Sequence, residues 1–195
     1  MLCKSSALPL SYAPEASRQT TRPAASGHKD GRRPKPPPSR SEVLENCDSR
    51  HRVRVPRGVA VTLKGDNGHI SAKSFASALT LRSDNGAVRG EDVRGALELE
   101  SGNGKVDATG IASRQVSAVS DNGQVRLGFT EAPDLVDVES DNGSVRIELP
   151  PRSSYKIDAK SDNGNIDIGV PRDDLSEHSV SARSQNGEIT IGTAN

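Results

Sequence analysis

In the stretch VDVESDNGSVRIEL, Val136, Val138 and Ser140 share one face before an Asn-Gly pair, and Val145, Ile147 and Leu149 continue that face after it. Asp137, Glu139, Arg146 and Glu148 take the opposite face. Alternation with a period of two, with β-branched residues on one side, predicts strands that bury one face. The same frame fits Val116/Ala118/Ser120 with Val125/Leu127/Phe129, and Ile157/Ala159/Ser161 with Ile166/Ile168/Val170.

The unit recurs. Asn-Gly begins at Asn67, Asn85, Asn103, Asn122, Asn142, Asn163 and Asn186, with spacings of 18, 18, 19, 20, 21 and 23 residues. Five of the seven read Asp-Asn-Gly, with Asp66, Asp84, Asp121, Asp141 and Asp162; Gly102 and Gln185 are the departures. Self-similarity at this period marks a repeat architecture. At each corner Gly is expected to supply a positive φ, which Asn also tolerates. The segment HRVRVPRGVAVTL (51–63) reads as the entering strands, with Pro56 marking an edge or bend.

Two architectures fit the pattern: stacked β-hairpins, each closed by a type I′ turn, or a β-solenoid (parallel β-helix-like) of about seven Asn-Gly-cornered repeats. Hairpins set Arg82 against Arg89 and Glu100 against Asp107, which repel, and pair Glu139 with Arg146 and Lys160 with Asp167, which attract. Stacking consecutive repeats gives five attractive neighbours: Arg82/Glu100, Arg89/Asp107, Asp107/Arg126, Glu139/Lys160 and Arg146/Asp167. Only Arg126/Arg146 and Lys160/Arg183 then repel. Each pair contributes only about 0.2–1 kcal/mol, but the balance favours the solenoid. Insertions at PPRSS (150–154) and PRDDLSEHS (171–179), away from the corners, also suit one. Stacking at ~4.8 Å per rung predicts a column roughly 30 Å long and an asparagine ladder along it. The chain reaches ITIGTAN straight after a strand, so that last rung is expected to present an open edge, a pairing hazard or a site of self-association.

Composition refines this. The sequence holds no Trp and four other aromatics, Tyr12, Tyr155, Phe75 and Phe129, so the core must come from Val, Ile, Leu and Ala. The same scarcity argues against carbohydrate stacking and against single-stranded nucleic acid. Residues 1–55 carry eleven Lys/Arg to five Asp/Glu, and residues 56–195 carry 15 to 21. The repeat half thus has the wrong sign for a nucleic-acid surface. Cys3 and Cys47 lie outside the repeats, so no disulfide framework or zinc spacing is expected.

Two domains are read: a disordered, Pro-rich, basic segment over 1–50 and a β-strand-repeat domain over 51–195. The first holds seven of the twelve prolines, including RRPKPPPSR (32–40), read as a solvated linker with a docking peptide as the sharper alternative. SEVLEN (41–46) could form one helical turn. The opening MLCKSSALPLSY lacks a signal-peptide apolar run, and no stretch approaches 18 apolar residues, so no membrane span is expected. With Met1 as the true start, the chain is expected in the cytoplasm.

The run from VPRGVAVTLKGDNG, through SDNGQVRLGFTEAPDLVDVESDNGSVRIELP, to SARSQNGEITIG resembles a bacterial adhesin-labelled family of β-strand-repeat domains of unknown function, common in actinobacteria. The resemblance covers residues 52–195. It implies a solenoid-like domain carried on the cell envelope or outside the cell, and no ligand, cofactor or reaction.

Candidate chemistry is sparse. The Asp-Asn-Gly corners offer oxygen ligands, but neither an EF-hand loop nor a glycine-paired nonapeptide is present, so they read as turns. Arg89, Arg126 and Arg146 line up with Asp107 among them, which reads as a solvated, ion-paired face. His69 and His178 have no partner spacing, and a serine at 83, 101, 120, 140, 161 and 184 recurs too often for a nucleophile. No catalytic, cofactor or metal residues are assigned. The reading is a non-catalytic structural or interaction module, adhesin-like, facing a protein or surface partner. A polysaccharide-acting enzyme and a cytoplasmic scaffold are the alternatives.

Overall fold

The computed structural model describes residues 51–56 and 58–194. The expectations for residues 1–50, including disorder, the docking stretch and the helical turn, lie outside these.

Seven two-strand rungs follow one another along the chain. The first is β1 (Val61–Asn67) and β2 (Ile70–Phe75), the second β3 (Leu79–Asn85) and β4 (Val88–Val93), the third β5 (Leu97–Asn103) and β6 (Val106–Ile111). Next come β7 (Gln115–Asn122) with β8 (Val125–Phe129), and β9 (Leu135–Asn142) with β10 (Val145–Leu149). The last two are β11 (Lys156–Ser161) with β12 (Ile166–Ile168), and β13 (Ser179–Asn186) with β14 (Ile189–Thr193). The strand thus begins at Val61, later than the expected entering strands, and Pro56 lies before it.

Odd-numbered strands form one sheet and even-numbered strands a second, and every pairing is parallel. The two strands flanking Asn142-Gly143 do not pair with each other: β9 lies between β7 and β13, and β10 between β8 and β14. The chain is a β-solenoid of seven turns. Stacked hairpins are thereby excluded.

The core is a set of columns. Leu79, Leu97, Val116, Val136 and Val180 stack in register on one sheet, and Val88, Val106, Val125, Val145 and Ile189 on the other, each at most 2% exposed. Burying one such side chain stabilises by about 1.5–3 kcal/mol, so the fold rests on aliphatic layers repeated rung by rung. Phe129 and the fully buried Tyr155 are the aromatic exceptions.

The corners are built differently from expectation. Of the seven Asn-Gly glycines only Gly68 has a positive φ, 118°. The others are required by proximity. A Cβ on Gly86, Gly104, Gly123, Gly143, Gly187 or Gly164 would run into the carbonyl of the glycine in the rung beneath. Conformational freedom was the wrong reason for a right residue; close backbone approach is the right one.

Two polar ladders run beside the glycines. Asn103 donates to Asn85 at 2.9 Å, and the series continues through Asn122, Asn142, Asn186 and Asn163 at 3.0 Å each. Ser101 donates to the Gly86 carbonyl at 3.0 Å and Ser161 to that of Gly187 at 2.9 Å; Ser83, Ser120, Ser140 and Ser184 make the same contact at 3.3–3.4 Å. Each serine reaches the glycine one rung below. Gly65 replaces it in the first rung, where no rung lies beneath.

The rungs do not stack in chain order. β13 and β14 insert between the fifth rung and β11/β12, so β11/β12 closes the stack. The expected open edge at ITIGTAN is therefore interior: β14 pairs with β10 and β12, and the Ala194 amide bonds Leu149. The connectors permit this. Three to five residues join earlier rungs, whereas six precede β11 and ten precede β13, enough to skip a position and return. The edge position falls to the strand with more outward charge, Lys156, Asp158 and Lys160 on β11, against Ser179, Ser181 and Arg183 on β13.

A second recurring device lies near the ends of β2, β4 and β6. Ser74, Asp92 and Gly110, eighteen residues apart, have φ of 61°, 55° and 67°. The register shifts between Ala108 and Ile111, and β8 and β10 run without the extra residue. The early rungs thus share a stacked bulge.

Candidate interaction faces

Outward side chains of the even-numbered sheet place the arginine row as the sequence implied. Arg89, Asp107, Arg126 and Arg146 occupy one register line across β4, β6, β8 and β10. Asp107, its side chain only 15% exposed, takes Arg89 at 3.2 Å and Lys105 at 3.3 Å. Arg126 turns diagonally to Glu148 at 3.0 Å. Lys73 bonds Glu91 at 2.9 Å, which holds its ammonium above the usual value. Arg146 stands exposed beside Arg126, and among the described residues no carboxylate lies within 4.0 Å of it.

Two expected neighbours are corrected by the rung exchange. Arg146 meets Thr190 in place of Asp167, and Glu139 meets Arg183 in place of Lys160. The Arg82/Glu100 and Arg89/Asp107 pairs stand at 3.2 Å each, and Arg126 and Arg146 do lie side by side. Arg82 also bonds Glu98 at 2.6 Å. The diagonal Arg126–Glu148 pair was not anticipated; its signal is the residue type two positions along a neighbouring strand.

Glu148 lies in register with Gly128 on one side and Gly192 on the other. On the Gly192 side the missing side chain leaves a shallow hollow of about 230 Å³ lined by Arg146, Ile147, Glu148, Thr190, Gly192 and Thr193. It joins one carboxylate to one guanidinium and two threonines, a set suited to hydrogen bonding and ion pairing. Lyase chemistry would call for several acids around a base, and the hollow brings Glu148 alone.

The remaining candidates are apart. His69 accepts from the Ala87 amide at 3.3 Å at the first corner. His178 bonds the Pro133 carbonyl through Nδ1 at 2.8 Å, its ring 5.9 Å from that of Tyr155, so it ties two connectors together. The recurring serines spend their hydroxyls on the glycine ladder. The corner acids form short runs, Asp66 with Asp84 and Asp121 with Asp141, broken by Gly102 and Gln185. Among the described residues no three His, Cys, Asp or Glu converge to hold a metal. No helix among them is long and apolar enough to cross a membrane.

The profile of the Toastrack DUF4097 family matches residues 52–194, the whole run of rungs. The chain belongs to the Toastrack DUF4097 family. Toastrack here denotes a domain of unknown function, so the match establishes kinship and leaves activity open. No curated protein and no solved structure matches the chain. The Toastrack stack has two broad sheet faces and two terminal rungs, β1/β2 and β11/β12.

Proposed function

We propose that this Toastrack domain is a non-catalytic structural and interaction module, adhesin-like and associated with the cell envelope. The reading rests on the division of roles within each rung. The residues that recur, Ser, Asn and Gly, are consumed by contacts between rungs, while the residues that vary cover the outer faces. The face around Arg126, Arg146, Glu148 and Thr190 is the contact surface, because there a cation with no carboxylate within 4.0 Å among the described residues borders a hollow. Flat, charged faces recognise partners by electrostatic complementarity more than by enclosure.

The test is co-sedimentation of the purified chain with isolated bacterial envelopes, with Arg126→Glu/Arg146→Glu as the comparison. Saturable binding that the double variant loses supports the reading. Absence of sedimentation, or binding that the variant retains in full, overturns it.

A further inference from the structure

The closing rung carries an unpaired edge. On its inner side β11 bonds β13; Lys156 and Asp162 donate to His178 and Ser184. On its outer side the 171–173 segment takes up Tyr155, whose amide bonds Pro171 and whose carbonyl accepts from Asp173. Successive residues of a strand alternate sides, so the amides and carbonyls of Ile157, Ala159 and Ser161 point away from the stack. Next to them Ile157 and Ala159 are only partly buried, and Ile166 is 37% exposed.

Charges along β11 are arranged around Ala159. Reading outward from it, Asp158 mirrors Lys160, Ile157 mirrors Ser161, and Lys156 mirrors Asp162, and all four charged residues are exposed. We propose that β11 pairs antiparallel with β11 of a second copy of this chain, with Ala159 on the two-fold axis. In that register the outward groups of Ala159 meet their own copies, and those of Ile157 meet Ser161. Each Asp158 faces a Lys160 and each Lys156 an Asp162, so opposite charges meet at every charged position. An isologous contact of this kind closes at two copies.

The second sheet accepts the same axis. Ala159 and Ile168 lie equally far from the Asn163-Gly164 corner, so they face one another across the core. Antiparallel pairing about Ile168 sets Asp167 against Gly169 and covers Ile166 with Val170, and no like charges meet. Head-to-tail stacking of β11 on β1 would instead continue the register lines and set Lys160 beside Lys64 and Asp162 beside Asp66. The charge pattern selects a dimer over a filament. The inference stands independently of the envelope role.

Sedimentation velocity on the full chain across a concentration series tests it. A monomer–dimer equilibrium is expected. Lys160→Glu should weaken it about tenfold, since it replaces two attractive pairs with two repulsive ones. The exchange Asp158→Lys with Lys160→Asp should restore it. Ala159→Pro should abolish it while thermal unfolding stays near that of the unaltered chain, because that amide points outward and bonds nothing in the monomer. A monomer at all concentrations, mass growing beyond two copies, or a dimer that Lys160→Glu leaves unchanged overturns the proposal.

Discussion

Gln185 donates its side-chain amide to Asp141 at 2.7 Å although 44 residues separate them. The contact exists because the seventh repeat lies on the fifth, and it explains why one corner lacks its acid. Gln185 sits between Asp141 and Asp162, where a carboxylate would join Asp121 and Asp141 to Asp162 in a run of four. Gln185→Asp is expected to cost about 1–2 kcal/mol through the lost bond and the new repulsion. Urea unfolding at low and high salt checks this, and part of the loss should return when salt screens the run.

The glycine columns separate two kinds of position. Gly143→Ala drives a methyl group into the Gly123 carbonyl and should cost about 1–3 kcal/mol or more. At Gly192 an added Cβ meets nothing within 4 Å. Gly192→Ala should therefore be neutral or stabilise by about 0.4–1 kcal/mol through the unfolded chain. Equal losses in thermal unfolding for both variants would contradict the steric account of the corner.

Asn122 both donates to Asn103 and accepts from Asn142, at 3.0 Å each. Asn122→Ala should cost about 1–2 kcal/mol, measured by denaturant unfolding. The same ladder protects against succinimide formation, because it holds the Asn side chain that must swing onto the following glycine nitrogen. Asn67 stands outside the five ladder bonds, so its side chain lacks that hold, although the Gly68 amide itself bonds the Asn85 carbonyl. Mass spectrometry of folded protein should find deamidation first at Asn67 and slowest at Asn103, Asn122 and Asn142, with the contrast erased by denaturation.

Tyr155 is fully buried and donates to the Pro150 carbonyl at 2.9 Å; burial pushes its phenol above the ordinary 10.0, with a bond to Ser153 opposing. A raised phenol favours the folded state below pH 10, and that contribution fades as pH climbs toward the folded value. Tyr155→Phe should cost about 1 kcal/mol at pH 7 through the lost hydrogen bond. Above pH 10 the gap between variant and unaltered chain should narrow. A gap constant from pH 7 to 11 would argue against the coupling.

The rungs were legible because alternation and Asn-Gly recur on every one, and each recurrence reports the same local environment. Inward placement of Val136, Val138, Val145 and Ile147 followed from parity alone, and all are at most 1% exposed. Order along the stack was not legible by the same means, since stacking in parallel leaves every rung's inner face nearly equivalent. The signals that did carry it were long connectors around 150–155 and 169–178, the glutamine at 185, and the denser charge on β11. The bulge at Ser74, Asp92 and Gly110 was hidden because three different residues fill one conformation. On the outer faces single charges were readable, but their diagonal partners depend on side-chain reach across strands.

The exchanged rungs impose an order on assembly. In the finished stack β11 and β12 have, among the described residues, only β13 and β14 as sheet neighbours, so the sixth repeat cannot take its final place until the seventh exists. A growing chain that adds repeats vectorially would offer repeat six the vacant edge of β9/β10 first, a homologous berth from which it must be displaced. The last steps of folding are then a substitution at a growing end, and completion of the stack is gated by the seventh repeat.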